Sequence, residues 1–122
     1  MILPDTSIWI DFFRKTSASI DEKMQEYLTI REVCALSVIF GELLQGVRDD
    51  REEKVIFEYW KNLPRVEEKN LFIDAGKLSY ENRFFSKGVG LIDCYILAAA
   101  RKYQLELWSN DKRLFQAYKL LQ

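Results

Sequence analysis

The chain has 122 residues, 48% apolar and 14% aromatic, with 30% charged and a formal net charge of −1. That length suits one folded domain over residues 1–122, and the composition excludes a disordered or low-complexity chain. A charge so near zero excludes a strongly basic field for holding a polyanion, so any nucleic-acid contact must be local or metal-mediated.

The pattern along the chain is that of an α/β domain with a mostly parallel sheet, with short apolar runs alternating with longer amphipathic stretches. Met1 to Leu3 predicts a first strand. Asp5, Thr6 and Ser7 then lead into a short apolar helix through Phe13, with Thr6 or Ser7 available as its cap. Ser19 and Glu22 have the spacing of a capping box, opening a second helix to about Leu28. Glu32 to Leu36 predicts a second strand. Ser37 is the expected cap of a helix that puts Ile39, Leu43 and Val47 on one face.

A polar-rich helix is expected from Asp50 to Asn62, halted by Pro64, and Arg65 to Glu67 is a candidate short edge strand. Asn70 is positioned to cap a helix running to about Ser86, and Lys87 to Gly90 reads as a turn. Ile92, Tyr95, Ile96, Ala99, Ala100 and Tyr103 recur at helical spacing, and the adjoining alanines allow a neighbour close, which predicts a central helix. Leu105 to Trp108 is the last predicted strand. Ser109, Asn110 and Asp111 form a turn, and Lys112 to Leu121 a terminal helix.

Cys34 and Cys94 stand alone in apolar surroundings, as buried thiols of a reducing cytoplasm do, rather than as a disulfide framework. Neither a secretory leader nor an apolar run of about 20 residues is present, so a soluble, cytoplasmic protein is expected.

Four acids carry the functional signal. Asp5, Glu42, Asp93 and Asp111 each follow an apolar run. Asp5, Glu42 and Asp111 fall at or beyond the carboxyl ends of predicted strands, where ligands of open parallel sheets bind. Asp93 joins from the first turn of its helix, where the dipole favours a carboxylate by roughly 0.3–1 kcal/mol. That is too little to offset repulsion among gathered carboxylates, so protons or a divalent cation must balance them. With no histidine in the chain, an all-oxygen donor set suits Mg²⁺ or Mn²⁺. Taken singly each acid has an ordinary reading: Asp5 and Asp111 as helix caps, Glu42 as a solvated side chain, Asp93 as a first-turn helix acid. Their joint placement is what singles them out.

These residues resemble the PIN-domain family, most closely its VapC-like ribonuclease toxins. The run from Met1 to Asp11 is similar to the opening strand and first acidic motif, with Asp5 as the acid and Thr6 or Ser7 as the accompanying hydroxyl. Leu36 to Gly46 resembles the second motif through Glu42, Gly90 to Ala100 the third through Asp93, and Trp108 to Leu114 the fourth through Asp111, with Ser109 where the family usually has threonine. The resemblance implies a three-layer α/β/α domain around a central, mostly parallel sheet of four to five strands. It also implies a Mg²⁺- or Mn²⁺-dependent endoribonuclease with Asp5, Glu42, Asp93 and Asp111 as catalytic and metal-holding residues, leaving a 5′-phosphate and a 3′-hydroxyl. Thr6, Ser7, Ser109 and Asn110 would support the acids, and Lys112 and Arg113 would touch RNA phosphates, with Arg48, Lys87 and Arg101 as further candidates.

The partners implied are RNA, with transfer RNA as a family-level expectation, a small antitoxin laying an apolar helix over the region of Trp9, Phe12 and Phe13, and a second copy in a homodimer. The family departs from this chain at two points. Pro4 stands where an aliphatic residue is usual, suggesting that the strand ends one residue early, and the sequence stops without the family's frequent fifth strand. Rival readings are a PIN nuclease of RNA maturation, a receiver-like or other non-catalytic acidic pocket for metal or phosphate, and a degenerate fold that only binds antitoxin.

Overall fold

A computed structural model describes residues 1–122. The elements follow one another as β1 (Ile2–Pro4), α1 (Thr6–Arg14), α2 (Ala18–Thr29), α3 (Ser37–Gln45), α4 (Asp50–Asn62), α5 (Leu71–Asn82), a 3₁₀ turn (Phe85–Lys87), α6 (Leu91–Tyr103), β2 (Glu106–Trp108) and α7 (Lys112–Leu120). The α/β class and the parallel pairing are as expected. β1 and β2, from the two ends of the chain, lie side by side in parallel, with Leu3 opposite Leu107 and Pro4 opposite Trp108.

Two strands form where four to five were expected. The predicted strands at Glu32–Leu36 and Arg65–Glu67 each make a single parallel bridge, Ile2 to Val33 and Ala35 to Arg65. Proline explains the first shortfall. The Ile2 N–H donates to the Glu32 carbonyl and the Cys34 N–H to the Ile2 carbonyl, both at 2.9 Å. In a parallel ladder the next donor on that side is two residues on, at Pro4, which has no N–H. Pairing toward Val33 therefore stops after one bridge. On the other side the proline costs nothing, because there the Asp5 N–H donates to the Trp108 carbonyl at 3.0 Å. The expectation that Pro4 would shorten β1 was wrong for the same reason: its missing donor faces away from β2.

Several caps also differ. Asp5, not Thr6 or Ser7, caps α1, and Ser17, two residues ahead of the predicted Ser19, caps α2 through its hydroxyl. Ser37 is the first residue of α3 rather than its cap, and Asn70 caps α5 without a side-chain hydrogen bond. Helix α5 ends at Asn82 rather than near Ser86, because Arg83 turns into the left-handed region at φ 56° and its successor Phe84 drops into the core. α4 has the predicted bounds.

The core is one cluster of 29 buried apolar residues. α6 is central: Cys94 and Ile96 through Ala100 are all buried, and the small alanine side chains let it pack closely against α5, α3 and α7. Trp9 and Phe12 belong to this core, in an edge-to-face group with Phe40 and Tyr59. Both cysteines are free and buried. No helix is long and apolar enough to cross a membrane.

Candidate active site

The β1–β2 register brings residue 5 beside residue 109. Asp5 is the one charged residue in the buried set, 5% exposed. Its Oδ1 accepts from the Ser7 hydroxyl at 2.5 Å and from the Ile8 N–H at 3.2 Å, capping α1, while Oδ2 accepts from the Ser109 hydroxyl. The Ser109 oxygen in turn accepts from the Asp111 N–H at 2.9 Å. Asp111 caps α7, its Oδ1 accepting from the N–H groups of Arg113 and Leu114 at 3.0 and 3.1 Å. Both ordinary readings, Asp5 and Asp111 as caps, are therefore realised.

Glu42, exposed on α3, has Oε1 held by the Thr6 hydroxyl at 2.6 Å, which ties the second acid to the start of α1. Asn110 completes the frame: its N–H donates to the Ser7 oxygen at 3.1 Å and its side-chain amide to Asp11 Oδ2 at 2.9 Å. Thr6, Ser7, Ser109 and Asn110 thus all hydrogen-bond within the acidic network. Asp11 was not singled out from the sequence, although it closes the first motif. It lies six residues beyond Asp5 along α1, away from the end that Asp5 caps, and nothing in its local sequence marks it.

Asp93, half-buried in the first turn of α6, reports where the four acids lie relative to one another. Burial pushes its carboxyl above the ordinary 3.8, and the charges of Asp111, Glu42 and Asp5 push it further in that order, while Arg113 pulls it down. Four carboxylates from four elements share one electrostatic field. As the side chains stand, no three of them close into a ligand cage.

A family model described as the PIN domain matches residues 2–120. The chain belongs to the PIN-domain family. Across 118 residues it is 30% identical to Ribonuclease VapC32 of Mycobacterium tuberculosis strain CDC 1551 / Oshkosh, a match covering 93% of this chain and 87% of that protein. The same figures hold for Ribonuclease VapC32 of strain ATCC 25618 / H37Rv. The resemblance read from the four motifs is confirmed.

Within this PIN domain the donor chemistry fits a hard divalent cation. The set is all-oxygen and anionic, free of histidine, and Asp93 pays for like charge around it with a raised proton affinity. Of the two predicted phosphate contacts, Arg113 borders the acids and donates from Nη1 to the Gly88 carbonyl at 3.3 Å, whereas Lys112 is exposed and forms no ion pair. Arg48 is engaged by Glu52, and Arg101 lies in a recess with Asp74 and Glu81.

Sequence reasoning missed Glu68. It accepts the Ser37 N–H at 3.0 Å on Oε2, and the hydroxyls of Ser37 and Tyr95 at 2.5 and 2.6 Å on Oε1. This one loop carboxylate joins the N-terminus of α3, which bears Glu42, to α6, which bears Asp93. A glutamate at position 68 in a polar loop has no local pattern to announce that role.

Proposed function

We propose that the chain is a metal-dependent endoribonuclease, the toxin of a VapBC-type toxin–antitoxin pair, working as one nuclease domain over residues 1–122. The observation that carries this is the shared field of Asp5, Glu42, Asp93 and Asp111, drawn from four separate elements of a PIN domain. The name of the VapC32 relative, matched over most of both chains, supports ribonuclease chemistry over other phosphodiester substrates.

Asp5, Asp93, Glu42 and Asp111 would hold Mg²⁺ or Mn²⁺. Bound there, the ion supplies an acidified water and charge neutralisation at a phosphodiester. The chain's own residues prepare that site. Ser7 and Ser109 hold the two oxygens of Asp5 in fixed directions, Thr6 does so for one oxygen of Glu42, and the start of α7 does so for Asp111. Such hydrogen bonds to ligand carboxylates orient them. Arg113 supplies positive charge at the rim, suited to a neighbouring phosphate. Two imidazoles acting as acid and base are excluded, since the chain has no histidine. Thr6 and Ser109 orient the carboxylates of Glu42 and Asp5, and neither has the histidine or lysine base of a hydroxyl nucleophile beside it.

For the inhibitor, a cleft lined by Ile10, Phe13, Leu43 and Ile56 opens onto Glu42 between α1, α3 and α4, and supports an antitoxin helix lying there with its end over the acids. Phe13 is the member of the predicted Trp9, Phe12, Phe13 group that reaches this surface. Exposed Phe72, Ile73, Leu91 and Ile92 support a homodimer face. The two single-bridge segments support the fuller sheet of a three-layer α/β/α domain. Structured RNA such as transfer RNA is the expected substrate, in the cytoplasm.

The test is cleavage of end-labelled cellular RNA by purified protein with Mg²⁺ or Mn²⁺, with chelator, and by Asp93→Asn prepared identically. Activity lost on chelation and in the variant is expected. Equal activity in both proteins would identify a contaminant. No cleavage by wild type would favour a non-catalytic acidic pocket.

A further inference from the structure

The two most exposed aromatic side chains of the protein, Phe85 at 90% and Tyr80 at 86%, line one surface recess with Arg83 between them in sequence. Such rings are normally turned inward, and here the backbone holds them out. Arg83 ends α5 in the left-handed conformation. The Phe84 N–H donates to the Ser79 carbonyl at 2.9 Å and the Phe84 ring is buried, and the next residues wind into the 3₁₀ turn. With Phe84 anchored inside, Phe85 has to face solvent. The Val89 N–H donates back to the Phe84 carbonyl at 3.0 Å, closing the loop. A ring presented on a loop braced in this way loses little freedom on contact with a ligand.

The loop also points to the acidic site. Gly88, at φ 77°, offers its carbonyl to Arg113, and a side chain added there would meet the Arg113 guanidinium at 2.8 Å. Arg113 is the cation that opposes the charge around Asp93. The turn that carries Phe85 is thus tied, through Gly88, to the arginine that faces the acids. Arg83 in the recess and Lys87 beside it form no ion pair, with the Lys87 ammonium over the Phe84 ring at 5.8 Å, against one acid, Glu81, in the recess.

We infer that Phe85 and Tyr80 form a base-stacking platform for single-stranded RNA, with Arg83 and Lys87 on its phosphates, on the turn that Gly88 ties to Arg113. This rests on the ribonuclease reading. Unstacked bases are held by aromatic faces with cations alongside, without a sequence code. The platform binds nucleotides flanking the scissile bond and so sets substrate affinity rather than chemistry.

The experiment measures KM and kcat for metal-dependent cleavage of RNA by full-length Phe85→Leu, Tyr80→Leu and Phe85→Trp. Anisotropy of a fluorescein-labelled, mixed-sequence single-stranded RNA oligomer is followed for each change in the Asp93→Asn background. Leucine keeps apolar bulk and removes the π face, so each leucine variant is expected to weaken binding and raise KM about 5- to 100-fold, with kcat held and tryptophan restoring affinity. Unchanged KM in both leucine variants, with wild type active, overturns the platform and leaves the nuclease reading standing. A Phe85→Leu variant that alters sedimentation but not RNA affinity also overturns it, marking a protein-contact face. Wild type without metal-dependent cleavage removes the reading on which the platform rests.

Discussion

The Ser109 hydroxyl donates to Asp5 across 104 positions of sequence, and the same oxygen accepts the Asp111 N–H. One small side chain therefore holds the first and last acids of the site in a common frame. Removing it as Ser109→Ala leaves the Asp111 N–H and one oxygen of Asp5 without those partners. The expected result is a loss of about 1–2 kcal/mol of stability and a fall of about 10- to 100-fold in kcat/KM. Ser109→Thr keeps the hydroxyl and should retain most of both. Thermal unfolding and cleavage kinetics on the three proteins decide it; an alanine variant with wild-type kinetics would remove Ser109 from the positioning frame.

Asp93 is a site of conflict between stability and function. Its raised pKa means that the native state binds the proton more tightly than the unfolded chain does. Stability therefore falls as pH rises from the ordinary 3.8 through the raised folded value, and the ionised carboxylate weighs against the fold at neutral pH. Asp93→Asn in metal-free buffer is expected to be more stable at pH 7, by on the order of 1 kcal/mol or less, while losing activity. That advantage should vanish toward pH 3.5. Added Mg²⁺ or Mn²⁺ should raise the melting temperature of wild type and leave the variant nearly unmoved. A variant less stable than wild type at pH 7 would contradict the strained carboxylate.

Glu68 is expected to matter well beyond its own loop. Glu68→Ala strips the acceptor from Ser37 and Tyr95 together, and should cost about 1–3 kcal/mol and lower kcat, because α3 and α6 carry Glu42 and Asp93. Tyr95→Phe removes one of these hydrogen bonds and should cost less. A double-mutant cycle between positions 68 and 95 measures the coupling, and additive effects would mean that the contact bears no energy.

Cys34 should be chemically silent. Burial, and then the charge of Glu68, push its thiol up to about 11, against a smaller pull from the N-terminus. At pH 8 only about one molecule in a thousand carries the thiolate. Iodoacetamide should leave both cysteines unlabelled in native protein and label both in denaturant, read by intact mass. Rapid labelling of Cys34 in the native state would show that the β1 edge opens.

Elements with local signals are legible from the residues alone. α4 runs from Asp50 to Asn62 as its polar pattern and Pro64 dictate, and α6 is the buried alanine-rich helix. Periodicity, caps and motif spacing act within a few residues, so they can be read along the chain. Tertiary structure decided the rest. Pairing of β1 toward Val33 stops at one bridge because Pro4 faces that neighbour and not β2, which no reading of residues 1 to 5 reveals without the partner strand in place. Glu68 and Asp11 acquire partners 27 to 99 positions away. Hydrogen bonds of that span depend on how packed helices approach, and their energies are set by burial and by the field of neighbouring charges, neither of which exists until the chain has folded.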